Sequence, residues 1–531
     1  MRSARLIAAV AFIFAAAAHG DTDSSLGKSP NWGDDTAPAA SAAPHTVFND
    51  APNDPYVPYV ESSDGYLPPP PKPFVALANA TAFIQKQRRL QGRGLPATFY
   101  VPRGADAGNS LRQLLITEGV GLYDTALAII TLVEAGDLKS AGEILDVYAT
   151  GAYGSETGVP MELCALPSRN NGGAFSNFDP GTYYFFDFTN VYGDWQRWRN
   201  RWVFWNAHTG PNAWMVNAMI RYMAAARAAG HSERELEPYL NTVKSVGAAL
   251  LRLQDPRAQG GVRYGPETQF VENRAVPPYD QVNSENNLSA YVAFRMIYEQ
   301  TGDTAYQAAA ERVLNWFRNA EVWTGQSERR HGLFDPATNT LAMGAEYRHG
   351  RWVLQNEHPT DSAGTWAISS LGPGKIDELW GAGTAYKMWC TIRQRAGRTA
   401  DFRWAGDTGT LAGLDYTDAF PESESLISPE WTAGGLFALR QLRGYYGTGP
   451  GQGLLTNDQL HSLATDARTM GAYIRDHSTS YALGPGFGGS RQGQIGFGWI
   501  APPPEVQAMA SIYVALYFEG KADPSGWWRQ R

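Results

Sequence analysis

Apolar positions recur with the period of an amphipathic helix over most of the chain after about residue 78, and the periodic stretches come in pairs separated by turn signals. The first pair runs from Glu118 through Tyr123-Asp124 to Glu134, turns at Ala135-Gly136-Asp137 and returns from Leu138 to about Tyr148. A second occupies Gly210–Ala229 and returns through Leu236 to Leu253. The third starts near Asn287, turns at Thr301-Gly302-Asp303 and returns through Val313, Trp316 and Phe317. A fourth follows Thr365, with its second member from Trp380 to about Ala396, and a fifth begins at Pro429 and returns over Asn457–His477. Gly followed by Asp at two of these turns fits a left-handed C′ residue followed by the N-cap of the returning helix. Two helices remain, near Ala78–Leu90 and Pro504–Glu519, and pairing first with last closes a ring of six hairpins.

The leading helix of each pair is the more apolar and small-residue-rich, as in Ala213-Trp214-Met215-Val216-Asn217-Ala218-Met219, while the returning helices keep a solvated face. That contrast predicts an inner and an outer ring. The fold expected is all-α, an (α/α)6 toroid with loop inserts on one face. An open solenoid would repeat every 34 to 47 residues or so, a shorter period than the one seen.

Residues 76–531 are assigned to this toroid. Before it, residues 21–75 are rich in Ser, Ala, Pro and Asp, end in a proline run and read as a linker or arm. Residues 1–20 carry Arg2 and Arg5, an apolar run from Leu6 to Ala18 and small residues up to Gly20, the pattern of a secretory signal peptide. No segment has the length of a membrane span, so an exported enzyme or binding protein, secreted or periplasmic, is expected. In an oxidising compartment Cys164 and Cys390 could pair.

The charge balance, 44 Lys and Arg against 52 Asp and Glu, gives −8 and argues against a nucleic-acid partner. The nine His show no zinc spacing, and no phosphate loop is present, so neither metal nor cofactor is expected. An aromatic share of 12% stands out, because rings and acids recur together at the starts of the leading helices. They are Glu118, Tyr123 and Asp124; Trp205, His208 and Asn212; Tyr279, Glu285, Asn286 and Asn287; His358, Asp361 and Trp366; Glu430 and Trp431. Helix caps account for single acids or amides at such positions but not for the neighbouring rings. Carboxylates and rings converging on one end of a barrel suit a neutral sugar, whose faces stack and whose hydroxyls hydrogen-bond.

Cleavage of a glycosidic bond needs one protonated and one ionised carboxyl. Glu285, flanked by amides, is placed as the acid and Asp361, beside a helix start, as the base, with the roles open to exchange. Glu430, Asp124 and Glu118 are the competing carboxylates. Tyr123, Trp205, His208, Asn212, Tyr279, Asn286, Asn287, His358, Trp366 and Trp431 are expected to hold the substrate.

The segments Glu118–Ala128, Ser284–Tyr291, Asp361–Trp366 and Pro429–Thr432 resemble the six-hairpin glycosidase superfamily, the toroid enzymes of the glucoamylase and endoglucanase type. The resemblance implies hydrolysis of a poly- or oligosaccharide with inversion at the anomeric carbon, and a monomer is expected. Two other readings stay open. A polysaccharide lyase on the same fold would use His208 with Arg263 and Tyr264, or His358, and a glycan-binding protein would keep the rings without needing the carboxylates.

Overall fold

The computed structural model describes residues 77–530 apart from 92–94, 101–118, 150–157, 161–182, 186, 191–206, 255, 266–277, 326, 361–363, 405–406, 416–426 and 478–506. The signal peptide, the arm and Cys164 lie outside these residues; Cys390 is exposed and unpaired.

The helices in chain order are α1 (Leu77–Gln91), α2 (Leu122–Glu134), α3 (Leu138–Ala149), α4 (Thr209–Ala228), α5 (Glu233–Leu253), α6 (Ser284–Thr301), α7 (Thr304–Asn319), α8 (Trp366–Leu371), α9 (Pro373–Trp380), α10 (Thr384–Ala396), α11 (Pro429–Gly447), α12 (Asn457–His477) and α13 (Tyr513–Phe518). They close a ring. α2 packs on α4, α4 on α6, α6 on α8, α8 on α11 and α11 on α13, and the 3-10 turn Met509–Ile512 at the head of α13 returns to α2. Around this inner ring α3, α5, α7 and α12 pack along their partners, α10 packs on α9 and α11, and α1 lies against α2 and α13. The chain is therefore an (α/α)6 toroid.

Composition explains the two layers. α4 is buried from Thr209 to Met223 on every side, using Ala, Met and Asn, because helices flank it left and right and an outer helix covers its back. α5 instead buries one stripe, Leu236, Tyr239, Val243, Val246, Leu250 and Leu253, at the three- and four-residue spacing of a single helix face. Its start is a capping box in which Ser232 and Glu235 satisfy each other's backbone N–H groups. The Gly-Asp turns are as expected: Gly302 is left-handed at φ 71° and the Asp303 side chain accepts from Ala305 N at 2.9 Å.

Three expectations need correction. The fourth hairpin is broken into α8, α9 and α10, because Gly372, Gly381 and Gly383 all take positive φ and Pro373 cannot continue a helix. The last helix is much shorter than Pro504–Glu519; a strand, Gln507–Ala508, and the 3-10 turn precede α13. The stretch between the third and fourth hairpins is a sheet, not a plain insert. Strand Gln281–Asn283, at the head of α6, pairs with Gly344–Arg348, followed by Arg351–Gln355, Glu321–Thr324 and Glu328–His331. A hairpin of Gly397–Trp404 with Asp407–Leu414 follows α10. These strands alternate too briefly, and are too interrupted by Gly, to show above the helical periodicity.

Candidate active site

The starts of the inner helices fall into two chemically different sectors. In the first, strand Gly119–Gly121 pairs with Phe188–Asn190 and delivers the chain into α2. Leu122 N donates to Asp187 O at 2.8 Å, and Gly121 N donates to Thr98 Oγ1 at 2.6 Å. Thr98 Oγ1 in turn donates to Asp124 Oδ2 at 3.4 Å. Gly121 is required here, since a Cβ at that position would strike the Asp124 carboxyl.

Glu430 stands in the first turn of α11, behind Pro429 and the Ser428 cap, whose Oγ accepts from Trp431 N at 3.3 Å. Ser428 caps the helix, so Glu430 is not needed for that task. It faces the Tyr123 hydroxyl, whose ionisation is pushed well above the tyrosine range first by burial and then by the charge of Glu430. Asp124 is also raised well above the carboxylate range. Burial is the main cause and Glu430 the second, and the hydrogen bonds from Thr98 and the Ala510 backbone oppose the rise without cancelling it. α2 and α11 both flank α13, which is how two carboxyls some 300 residues apart in sequence come within electrostatic reach.

Rings fill the space around them. Tyr123 meets Trp214 edge-on at 5.2 Å and Trp366 at 6.1 Å, and Trp214 lies 5.5 Å from Trp366. All three are at most 5% exposed, so they wall the site from within the barrel. Trp431 is more open, beside Glu430.

In the second sector the polar side chains are occupied by backbone. Asn212 Oδ1 accepts from Phe185 N at 2.8 Å while its Nδ2 donates to Phe185 O and His208 O. Asn286 Oδ1 accepts from Gly210 N at 2.6 Å, clamping the start of α4 to that of α6. Asn287 takes Val262 N at 2.7 Å and gives to Val262 O and Asn283 O. Asn283 is the N-cap of α6. These amides are structural clamps rather than open sugar ligands. Glu285, between them, is 2% exposed in the first turn of α6.

His208 pairs through Nδ1 with Asp187, whose other oxygen accepts from His208 N at 2.8 Å, and it stacks on Tyr264 at 4.0 Å. Tyr279 is set back from the axis, under the guanidinium of Arg263 at 4.3 Å and near that of Arg257. His358 Nδ1 lies 3.0 Å from both Thr340 Oγ1 and Leu341 O, tied to the short strand Thr340–Leu341. Glu118, Trp205 and Asp361 lie outside the described residues. Sequence reasoning missed Asp187 and Thr98, because each stands at the edge of a short strand with no helical period to mark it, and Tyr513, which opens a helix of only six residues.

Among the described residues no cluster of His, Cys, Asp and Glu could hold a metal ion, and no helix is long and apolar enough to cross a membrane.

No family model matches the sequence, and no curated protein matches it. Among solved structures the chain is similar to the GH76A alpha-1,6-mannanase from Salegentibacter sp. HEL1_6, at 11% or lower identity in its several forms. One of these structures gives 10% identity over 85% of this chain and 98% of that one, TM-score 0.42. It is also similar to a family 76 glycoside hydrolase from a bovine Bacteroides thetaiotaomicron strain, at 10% identity over 84% and 77% of the two chains, TM-score 0.47. A third is unsaturated glucuronyl hydrolase from Bacillus sp. GL1, at 12% identity over 84% and 95%, TM-score 0.46.

Proposed function

We propose that the chain is an exported glycoside hydrolase acting on a neutral oligo- or polysaccharide, with Asp124 and Glu430 as its working carboxyls. The observation that carries this reading is the pairing of the buried Asp124, raised well above the carboxylate range by burial and by Glu430, with that Glu430 across the head of α13. A buried carboxyl whose ionisation a second carboxyl opposes suits the proton donor that cleavage of a glycosidic bond requires, with that second carboxyl as its base partner. Asp124 gives its proton to the leaving oxygen as the bond to the anomeric carbon breaks. Glu430 takes a proton from the water whose oxygen forms the new bond, so the anomeric configuration inverts. Tyr123, facing Glu430, orients that carboxylate.

Glu285 and Asp361, first in the sequence reading, are thereby ranked behind this pair. Glu285 sits in the sector where neighbouring polar groups are spent on backbone. A lyase is disfavoured because Arg263, the cation it would need for a uronate, is 1% exposed, donates to Tyr279 O at 2.6 Å and is covered by Tyr279 and Trp352.

The test is a screen of the full chain against neutral and acidic saccharides, with Glu430→Gln and Asp124→Asn run alongside. Reducing ends released from a neutral glycan by wild type and by neither variant support the reading, and NMR of the first-formed anomer reads the stereochemistry. Wild-type turnover in both variants would sink the assignment, and an unsaturated product would establish elimination.

A further inference from the structure

The segment Lys521–Gln530, which follows α13, touches all six inner helices. Lys521 Nζ donates to Glu134 O at the end of α2, at 3.0 Å, and Asn217 of α4 donates to Pro524 O at 2.9 Å. Trp528 meets Tyr291 of α6 at 5.7 Å, and Arg529 donates to Ser369 O of α8 and, at 2.5 Å, to Gln441 of α11. Gly372 leaves room for that guanidinium, where a Cβ would collide with it. The sixth contact joins the segment to the site: Tyr513 Oη, on α13, donates to Asp523 Oδ1 at 3.2 Å.

Asp523 is itself held. Ser525 N donates to its Oδ1 at 2.9 Å and Gln441 Nε2 to its Oδ2 at 2.8 Å. Tyr513 lies buried against Phe437 at 5.1 Å, with its ring beside Gly434, one turn after Glu430 on α11. Its other charged or titratable neighbours are Glu430 on α11, Tyr123 on α2 and Arg221 on α4, with Arg529 facing Asp523.

We propose that Asp523 and Tyr513 are positioning residues for the Glu430–Tyr123 pair, so that the segment after the last inner helix is part of the working site and not only its floor. The inference rests on the functional reading above. With its proton committed to Asp523, the Tyr513 hydroxyl turns the negative end of its dipole toward its other neighbours, Ser525, Glu430 and Tyr123 among them. That dipole favours proton uptake by Glu430, which is what a base needs. The hydrogen bond to Asp523 also fixes the ring that packs on α11 at Gly434 and Phe437, one and two turns after Glu430.

The experiment compares Tyr513→Phe, Asp523→Asn and the double variant in the full chain, with Glu430→Gln as the reference. Removing the dipole or its anchor should lower kcat about tenfold with KM unchanged, the size of effect a displaced catalytic group produces. The acidic limb of the kcat/KM profile should move to lower pH in both single variants. The double variant should be no worse than the poorer single one, since both act through one contact. Wild-type kcat and an unmoved acidic limb in both singles, whatever happens to Tm, would overturn the positioning role while leaving the site assignment intact. Activity surviving in Glu430→Gln would overturn the site assignment itself, and this inference with it, by a separate measurement.

Discussion

The heads of α2 and α11 and the heads of α4 and α6 look alike in sequence and are used differently. Both pairs begin with polar side chains beside rings. In the α4–α6 sector Asn212, Asn286 and Asn287 have their amide groups hydrogen-bonded to backbone at 2.6 to 3.0 Å. In the α2–α11 sector Ser428 caps α11, and Asp124, which also accepts from Thr98 and the Ala510 backbone, lies within electrostatic reach of Glu430, which faces Tyr123. An amide can satisfy a buried N–H and a C=O together and carries no charge, so it is the residue of choice for a clamp. A buried carboxyl facing another is costly to stability, and a fold keeps such an arrangement where chemistry needs it.

Replacing the residues on each side tests that contrast. The largest effect is expected from Glu430→Gln and Asp124→Asn, each lowering kcat about a thousandfold with Tm nearly unchanged or higher. Steady-state kinetics and a thermal melt read both quantities. Asn287→Ala should do the reverse. It strips the partner from Val262 N and from two carbonyls and should cost about 3 kcal/mol of stability. Well below its lowered Tm it should turn over substrate within about threefold of wild type. A thousandfold kcat loss in folded Asn287→Ala would erase the distinction between clamp and catalyst.

The ring of hairpins was legible because the inner and outer helices differ in how much of their circumference is apolar, a signal that survives without any contact information. The Gly-Asp turns were legible for the same local reason. What periodicity does not register is a glycine that stops a helix in mid-pattern, as Gly372 does, or a two- or three-residue strand such as the one that brings Thr98 to Asp124. The site divides in the same way. Polar residues at helix starts are visible, but capping and catalysis draw on the same side chains, and only the neighbour across the ring separates them. Nothing near Asp124 in sequence announces Glu430. Likewise the rings of Tyr123 and Trp366 were expected to hold the substrate, and the structure turns them onto Trp214 and onto each other.

Trp431 keeps the open position that those three do not, and it sharpens the comparison at smaller amplitude. Trp431→Ala should raise KM about tenfold, close to 1.4 kcal/mol, at unchanged kcat, because a stacking face binds ground state and transition state alike. Equal KM in variant and wild type would move the sugar platform elsewhere.

The smallest effect is also the most direct reading of the coupled pair. Asp124 in the folded chain holds its proton well above the range in which the unfolded chain releases it, about pH 3.9. The folded state therefore binds more protons than the unfolded state between those two pKa values, and stability falls as pH rises from about 4 to the folded pKa. Above it the full penalty of a buried second charge beside Glu430 is felt. Asp124→Asn keeps the shape and removes the charge, so its Tm should exceed that of wild type by about 2 °C at pH 8 and match it near pH 4. The same titration should set the alkaline limb of the wild-type pH–rate profile, where Asp124 loses the proton it donates. If the variant's melting curve instead runs parallel to wild type at every pH, Asp124 is ionised throughout, and the two sectors differ in geometry alone.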